Sequence, residues 1–307
     1  MSDVQKIIFI VGPTAVSKSD IALHLAKNIK TEIVSCDAMQ VYKETCIATN
    51  KPSKAILKKI RHHLIDVVSV DEEFDVVRFN NLAVAAIYNI HERKKIPLVV
   101  GGSGLYMQVL LDGIFQGPPK DEKLREILTQ QIHDHGNEYL YEKLKKVDAK
   151  AAGKIHVHDT KRIIRALEVF MKEQKPFSEL QQKREGLWGK YKIYIFGLNR
   201  ERKELYEIIN RRVEQMFDDG LIEEIKKVSK LKLSQTALRI IGVREVRGYL
   251  NGEYDLARAK ELMKTNTRRY AKRQLTWFKK DKRVEWFLIA SKDSIENIVD
   301  SILEKIN

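Results

Sequence analysis

The residues whose types and spacing most directly suggest chemistry form a short segment near the amino terminus. It reads Gly-Pro-Thr-Ala-Val-Ser-Lys-Ser over residues 12–19 and follows an apolar run at 7–11. A glycine-containing loop between a strand and a helix points backbone N–H groups at an anion, so phosphate binding is predicted here. Lys18 would add positive charge, and the Ser19 hydroxyl is a candidate ligand of Mg²⁺.

One position of this loop departs from the usual pattern Gly-x-x-x-x-Gly-Lys-Ser/Thr, because Ser17 stands where the second glycine is expected. That position is expected to need a positive φ, which costs a non-glycine residue about 1 kcal/mol. A cost of this size weakens a phosphate site without abolishing it. The alternative is an ordinary strand-turn-helix connection that binds nothing.

Two further polar segments follow predicted strands. Asp37 comes just after a strand predicted at 32–35, at the carboxyl edge expected for a parallel sheet, where it could act as a general base or bind a metal ion. Its alternative is a helix N-cap. Ser103 lies in a run of three glycines at 101–104 and could donate a hydrogen bond to a phosphate oxygen. The alternative there is a tight strand-to-helix turn.

Two segments are strongly basic. In the segment 159–165, Lys161 and Arg165 are four residues apart and fall on one helical face. Residues 264–283 hold nine basic side chains, one acid and three aromatic residues. Both segments suit a nucleic-acid backbone, and the aromatic rings could stack on bases. A solvated charged face, with the aromatic rings in the core, is the alternative.

Composition narrows the class of partner. The 307 residues include 56 Lys and Arg against 42 Asp and Glu, a formal net charge of +14, which favours nucleic acid or an acidic membrane surface. No apolar run approaches the ~20 residues of a membrane span, and residues 1–6 lead directly into a predicted strand, so neither a membrane segment nor a signal peptide is expected. Two cysteines, Cys36 and Cys46, fit a reducing compartment. A cytoplasmic location is expected.

The elements that must position these residues alternate between strand and helix. Strands are predicted at 7–11, 32–35 and 97–100, with helices between them that include 76–91. This alternation predicts an α/β fold: a P-loop NTPase-like parallel sheet flanked by helices.

The middle of the chain has a different character. Residues 121–182 read almost entirely as helix, which predicts an all-helical insertion domain. A strand returns at 191–198, before long helices at 202–230 and 254–280 and a last strand at 284–288. The predicted domains are an α/β catalytic core, 1–118 with 191–307, and a helical insertion, 119–190.

Taken together and in order, these motifs resemble those of the tRNA dimethylallyltransferases, also called tRNA isopentenylpyrophosphate transferases. The resemblance covers nearly the whole chain. The matching segments are 12–19, 37–42, 62–66, 101–106, 162–168, 216–224 and 268–278. Each segment alone is moderately specific, whereas the ordered set is highly specific.

The resemblance implies transfer of a dimethylallyl group from its diphosphate to the exocyclic amine of the adenosine next to the anticodon in tRNA, releasing diphosphate. The implied partners are the tRNA anticodon stem-loop, held by the insertion, and dimethylallyl diphosphate; a monomer is expected. A tRNA-binding relative with impaired catalysis and a prenyltransferase acting on free adenine nucleotides remain alternatives. A small-molecule P-loop kinase is a further alternative, although such an enzyme typically keeps the loop glycine.

The resemblance also implies roles for individual residues. Asp37 corresponds to an aspartate that binds and deprotonates the attacking amine, and Ser103 to a threonine that contacts the oxygen between the donor carbon and the diphosphate. The residues implied in diphosphate binding are Gly12, Pro13, Thr14, Ala15, Val16, Ser17, Lys18 and Ser19. The residues implied in tRNA binding are Asp37, Ala38, Met39, Gln40, Arg125, Lys161, Arg162, Ile163, Ile164, Arg165, Arg239, Ile240, Ile241, Gly242, Val243 and Arg244.

Several positions depart from the family pattern. They are Ser17 for glycine, Ala38 for serine, Cys46 for aspartate, Ala48 for glycine, Ile208 for arginine and Val243 for tyrosine. Asp37, Lys18 and a hydroxyl at position 103 are retained, so an active enzyme is predicted.

Overall fold

The computed structural model describes residues 4–115, 117–290 and 293–306. Residues 1–3, part of the segment in which no signal peptide is expected, lie outside the described residues. The chain divides into two compact units. Met1–Leu111 with Trp188–Asn307 form one, here called the α/β unit, and Asp112–Leu187 form the other, the helical unit.

The α/β unit is built on a six-stranded sheet in which every neighbouring pair of strands is parallel. The strands are β1 (Lys6–Val11), β2 (Ile33–Ser35), β3 (His62–His63), β4 (Leu98–Gly101), β5 (Lys192–Arg200) and β6 (Glu285–Ile289). Their order across the sheet is β3-β2-β4-β1-β5-β6. The predicted parallel sheet is confirmed, and β3, with only two residues, was not predicted.

The register of the sheet brings the ends of three strands level. Val11 of β1 pairs with Gly101 of β4, and Ser35 of β2 pairs with Val100 of the same strand. The segments that leave these strands are therefore neighbours at one edge of the sheet. Residues 7–11 are buried throughout, because a central parallel strand is covered on both faces.

Helices cover the sheet and supply the rest of the core. In the α/β unit they are α1 (Lys18–Asn28), α2 (Lys54–Lys59), α3 (Val76–Glu92), α4 (Gly104–Asp112), α10 (Arg202–Asp218), α11 (Leu221–Val228), α12 (Val243–Leu250), α13 (Leu256–Phe278) and α14 (Ile295–Ile306). The single helix predicted over 202–230 is wrong. It breaks at Gly220, whose φ of 98° cannot continue a right-handed helix.

The helical unit contains only helices among its described regular elements. They are α5 (Glu122–His135), α6 (Asn137–Val147), α7 (Ala149–Ala152), α8 (Thr160–Glu173) and α9 (Phe177–Leu180). Its core includes Leu128, Leu140, Leu144, Ile163 and Leu167, contributed by α5, α6 and α8. The predicted all-helical insertion is confirmed. None of the helices in the described part of the chain has the length and apolar character needed to cross a bilayer.

Candidate functional site

Residues 12–17 form a loop between β1 and α1, as predicted, and Lys18 and Ser19 begin α1. Ser17 is left-handed, with φ 69° and ψ 24°, so the expectation of a positive φ at this position is confirmed. Ala15 has the same φ of 69°. Ala15 and Ser17 flank Val16, whose side chain is buried. The helix α1 begins directly after Ser17, at Lys18. A loop of this form at a helix N-terminus offers backbone N–H groups to an anion.

Lys18 folds back over this loop, where its Nζ donates to Pro13 O at 2.6 Å. Burial lowers the pKa of Lys18 to about 7; Asp37 raises the pKa and Arg212 lowers it further. An ammonium whose pKa lies near neutrality is readily stabilised by an incoming anion. Lys18 is therefore suited to binding a diphosphate.

Asp37 and Ser103 lie in adjacent turns after β2 and β4. Asp37 Oδ1 accepts from Met39 N at 2.9 Å, which fixes the orientation of the carboxylate. Ser103 Oγ accepts from Ala38 N at 3.0 Å, and Ser103 N donates to Cys36 O at 3.2 Å. These bonds join the two turns, so the carboxylate and the hydroxyl are held in one arrangement.

Two residues from distant helices complete this site. Arg212 of α10 donates to Thr14 Oγ1, and Gln274 of α13 accepts from Thr14 N at 2.8 Å. Burial lowers the pKa of Arg212 to about 10, although Asp37 raises it, so the guanidinium is charged at neutral pH. The structure thus assembles two cations, Lys18 and Arg212, around the carboxylate of Asp37.

Two cavities meet at this cluster. The first has a volume of about 280 Å³ and lies over the loop after β1, where Ser17, Lys18 and Ser19 line it. The second has a volume of about 270 Å³ and a largely apolar wall. Its wall includes Met39, Met216, Ile240, Ile241, Met263 and Tyr270. Both cavities are lined by Thr14, Asp37, Thr49, Asn50 and Arg212.

The residues present fit a magnesium ion that is bound together with a phosphate ligand. Ser19 is exposed and lines the first cavity beside Asp20. Among the described residues there is no cluster of three or more His, Cys, Asp or Glu side chains that could hold a metal alone. Mg²⁺ commonly keeps several waters and is held by few protein groups plus substrate phosphates. Ser19 is thus a suitable hydroxyl ligand once a diphosphate occupies the loop.

The other residues assigned to tRNA in the α/β unit divide by exposure. Arg239 and Arg244 are exposed, whereas Ile240 is 2% and Val243 0% exposed. Gly242, which is buried, has a φ of 107° and begins α12. Near Asp37, Gln40 donates to Thr49 O and Asn50 O, both at 3.3 Å. Gln40 therefore holds the loop that lines both cavities.

In the helical unit, the residues assigned to tRNA have different environments. Lys161 and Arg162 are exposed. Ile163 and Ile164 are 0% and 8% exposed, so their side chains pack into the core of this unit and are not presented to a partner. The assignment of these two positions to tRNA binding stays a prediction.

Arg125 and Arg165 bind a carboxylate within the helical unit. Arg125 makes two bonds of 2.8 Å to Glu168, and Arg165 makes one of 2.6 Å. Glu168, which is fully buried, also accepts from Asp121 N at 2.8 Å. Burial raises the pKa of Glu168, but the bonds from Arg125, Asp121 N and Arg165 outweigh it and bring the pKa down to about 2.

Sequence reasoning assigned no site role to four residues that organise these sites: Arg212, Gln274, Glu168 and Glu224. Glu224 of α11 accepts from the backbone N atoms of Cys46, Ile47 and Ala48 at 2.8–2.9 Å, and so holds the same loop as Gln40. A signal for Gln274 was present, since it lies four residues after Tyr270 and three before Trp277, on one helical face. The basic residues around Gln274 favoured nucleic-acid binding as the prediction for this segment.

Comparison with known proteins agrees with this geometry. The family model described as IPP transferase matches residues 40–281. The tRNA dimethylallyltransferase of Natranaerobius thermophilus is 44% identical over 305 residues, covering 98% of this chain and 91% of that protein. That of Alkaliphilus oremlandii is 41% identical over 303 residues, covering 98% and 96%.

Solved structures are similar over the same length. The tRNA isopentenylpyrophosphate transferase of Bacillus halodurans shares 37% identity, with a TM-score of 0.71 and coverage of 98% of this chain and 97% of that one. A eukaryotic dimethylallyltransferase described as acting on tRNA shares 28% identity, with a TM-score of 0.85 and coverage of 98% and 79%. On the family model and these relatives, which match over nearly the whole chain, the chain belongs to the IPP transferase family.

Proposed function

We propose that this protein transfers a dimethylallyl group from dimethylallyl diphosphate to the exocyclic amine of the adenosine next to the anticodon in tRNA. The observation that carries the proposal is the meeting of two cavities at Asp37. One cavity has the backbone and charge of a diphosphate site, and the other has apolar walls suited to a base and a prenyl chain. A group-transfer enzyme needs donor and acceptor to face each other across one reacting atom.

The diphosphate lies in the first cavity in this proposal. The loop N–H groups, Lys18 and Arg212 surround its oxygens and stabilise the charge that grows on it when the carbon–oxygen bond breaks. Lys18 Nζ, which donates to Pro13 O in the structure, turns to a phosphate oxygen. Mg²⁺ held by Ser19 and the diphosphate would supply further neutralisation of that charge.

The adenine enters the second cavity after it has been turned out of its stack. Its exocyclic nitrogen forms the new bond to the donor carbon, the bond from that carbon to the diphosphate oxygen breaks, and the diphosphate leaves with the electron pair. Asp37 accepts the proton that the amine loses. Since Met39 N holds Asp37 Oδ1, the carboxylate does not need to reorient for this transfer.

Ser103 is placed to assist departure of the diphosphate. Its Oγ accepts from Ala38 N, which leaves the hydroxyl hydrogen for donation toward the oxygen that bridges carbon and phosphorus. Tyr270 lies beside Ser103 in the same cluster, and burial raises the pKa of its phenol, so this group is neutral.

The tRNA is held in this proposal by basic side chains of both units. Exposed candidates are Lys161, Arg162, Arg239 and Arg244. A net charge of +14 supplies the long-range attraction that such a partner requires. A cytoplasmic location and action as a monomer follow as parts of the same proposal.

A transfer assay tests the proposed function. The purified protein is incubated with Mg²⁺, dimethylallyl diphosphate and either an unmodified tRNA transcript or adenosine monophosphate, and the products are digested and analysed by mass spectrometry. We expect a dimethylallyl adduct on the adenosine next to the anticodon. A matched transcript with guanosine at that position should stay unmodified. Equal modification of the mononucleotide would favour action on free nucleotides, and binding of tRNA without any adduct would favour a catalytically impaired relative.

A further inference from the structure

One face of α13 lies against the glycine turn that carries Ser103. Gln274 approaches this turn so closely that a Cβ atom on Gly102 would lie 2.1 Å from Gln274 Nε2. Trp277, one turn further along the helix, packs against Gly104. A side chain at position 102 would therefore displace the Gln274 amide, so glycine at this position allows the close approach.

Gln274 makes two hydrogen bonds there with a single amide group. Its Oε1 accepts from Thr14 N at 2.8 Å, and its Nε2 donates to Gly102 O at 2.9 Å. The side chain is buried, with 5% of the residue exposed. An amide can accept and donate at once, whereas an ionised carboxylate can only accept. Gln274 thus joins the phosphate loop directly to the turn after β4.

The connection continues to the proposed catalytic groups. Gly102 immediately precedes Ser103, whose Oγ accepts from Ala38 N in the turn of Asp37. Thr14, at the other end of the connection, is also held through its hydroxyl by Arg212. One buried side chain therefore lies between the loop that would hold the donor and the turns that would carry out the transfer.

We propose that Gln274 is a positioning residue for prenyl transfer. Its side chain sets the spacing between the loop 12–17 and the Ser103 turn. Because it accepts from Thr14 N, that amide does not bind the diphosphate. This inference deepens the proposed function and rests on it. Thr14 then contributes to the site through its hydroxyl and Arg212, and the amides further along the loop meet the anion.

Two variants separate the two bonds. Gln274→Met removes both at similar volume, and Gln274→Glu keeps the acceptor for Thr14 N but, when ionised, has no hydrogen for Gly102 O. Gln215→Glu makes the same chemical change on the exposed side of α10 and serves as the matched control. Thermal unfolding of each variant is measured first, so that binding is compared well below each transition.

The first measurement is amide hydrogen exchange at Thr14, resolved by NMR in the absence of any ligand. We expect Thr14 N–H to be protected in the wild type, in Gln274→Glu and in the control, and to exchange at least tenfold faster in Gln274→Met. Equal protection in all four proteins would overturn the bond to Thr14 as a feature of the protein in solution.

The second measurement is the affinity for inorganic diphosphate with Mg²⁺, together with kcat for transfer to tRNA. Leaving the buried Thr14 N–H or Gly102 O without a partner should weaken diphosphate binding about tenfold in Gln274→Met and lower kcat, while tRNA affinity stays within twofold. Gln274→Glu should bind diphosphate more weakly than the wild type at neutral pH. At acid pH its affinity should approach that of the wild type, because a protonated carboxyl can donate to Gly102 O. A purely structural role would not produce this recovery.

The failure of this inference differs from the failure of the proposed function. Diphosphate affinity and kcat within twofold of wild type in both variants would overturn the role of Gln274 and leave prenyl transfer intact. The proposed function would be overturned if the wild type bound diphosphate but transferred no prenyl group. If Gln274→Met also lost diphosphate binding, the role of Gln274 in positioning the loop would still hold.

Discussion

Two carboxylates in this molecule, Asp37 and Glu168, each lie close to two cationic side chains, and the two clusters differ in how the charges are satisfied. Glu168 is fully buried and bonds directly to Arg125 and Arg165. Around Asp37, Lys18 instead donates to Pro13 O and Arg212 to Thr14 Oγ1. Asp37 itself lines two cavities.

The difference shows how the same residue types can be neutralised within the protein in one place and left available for a ligand in another. Direct, bidentate bonds to a buried carboxylate neutralise the arginines of the helical unit within the protein. In the α/β unit the cations bond to neutral oxygens, so their charge remains available to an anion in the first cavity. Sequence position alone therefore does not show whether a cation bonds to a buried carboxylate or stays available to a ligand.

The largest expected effect concerns the carboxylate at the cavities. An adenine amine is a weak nucleophile, so Asp37→Ala should lower the rate of transfer by about 10²–10⁴ while tRNA affinity stays close to wild type. Single-turnover kinetics with saturating tRNA measure this rate. Asp37→Asn, which keeps the shape and the bond from Met39 N, should be similarly slow. A rate within a few-fold of wild type for either variant would remove Asp37 from the role of base.

The next effect concerns the other carboxylate and should appear in stability. Glu168→Gln leaves Arg125 and Arg165 without their anion and should lower the free energy of unfolding by about 3 kcal/mol. Urea unfolding measures it, and Glu126→Gln, an exposed carboxylate on α5, should change stability by less than about 0.5 kcal/mol. Because the pKa of Glu168 is about 2 in the folded protein, below its ordinary value of 4.5, its contribution is present at neutral pH and lost as pH falls through that interval. A variant as stable as wild type would contradict the structural role.

The third prediction is a pH dependence of donor binding from Lys18. Its pKa is about 7 in the free protein, so the side chain is charged below that pH and increasingly neutral above it. Diphosphate binding favours the charged form and must then take up a proton, so affinity should fall by up to about tenfold per pH unit above pH 7. Calorimetry in buffers of different ionisation enthalpy measures both affinity and proton uptake. Lys18→Met should bind diphosphate more weakly than the wild type, and its affinity should not fall with pH in this range. If the affinity of the wild type did not fall either, Lys18 would be charged at every pH tested.

The fourth prediction separates the exposed cations of the helical unit from those that bind the buried carboxylate of Glu168. Lys161 and Arg162 are exposed, so Lys161→Ala with Arg162→Ala should weaken tRNA binding about tenfold at low salt and reduce the salt slope by about two. Arg165→Ala should instead lower stability, because it exposes the charge of Glu168. Binding isotherms at three salt concentrations, with unfolding curves for both variants, test this. An unchanged salt slope in the double variant would place the tRNA elsewhere.

The smallest effect concerns the loop. Ser17 is already left-handed in the structure, so the strain is present on folding and not created by the donor. Ser17→Gly should raise the free energy of unfolding by up to about 1 kcal/mol and leave diphosphate affinity unchanged. Ala15→Gly, at the same φ of 69°, is the matched control and should behave alike. A destabilised Ser17→Gly variant would show that the serine side chain makes a compensating contact.

Much of the α/β unit could be predicted from the sequence because its signals are local. Short segments of four to eight residues, rich in apolar side chains, predicted five of the six strands, and parallel strands necessarily end at a common edge. The segments at 12–19, 37 and 101–104 each follow a predicted strand, and in the structure they are neighbours at that edge. The positive φ at Ser17 follows from the pattern of the loop. The missed strand, β3, has two residues and no periodicity to detect.

The tertiary structure alone decided which side chains complete each site. Thr14 meets Arg212 and Gln274 across 198 and 260 residues of chain. The spacing of Gln274 places it on one helical face with Tyr270 and Trp277, but it does not show which residue that face contacts. Likewise, Arg125 and Arg165 are assigned to tRNA from the sequence. In the structure α5 packs against α8, and both arginines bond to the buried Glu168. Local sequence determines which backbone is helix, strand or loop, because φ and ψ preferences act between neighbours. Which cation stays available to a ligand depends on where distant helices dock, and that is decided only by packing of the whole fold.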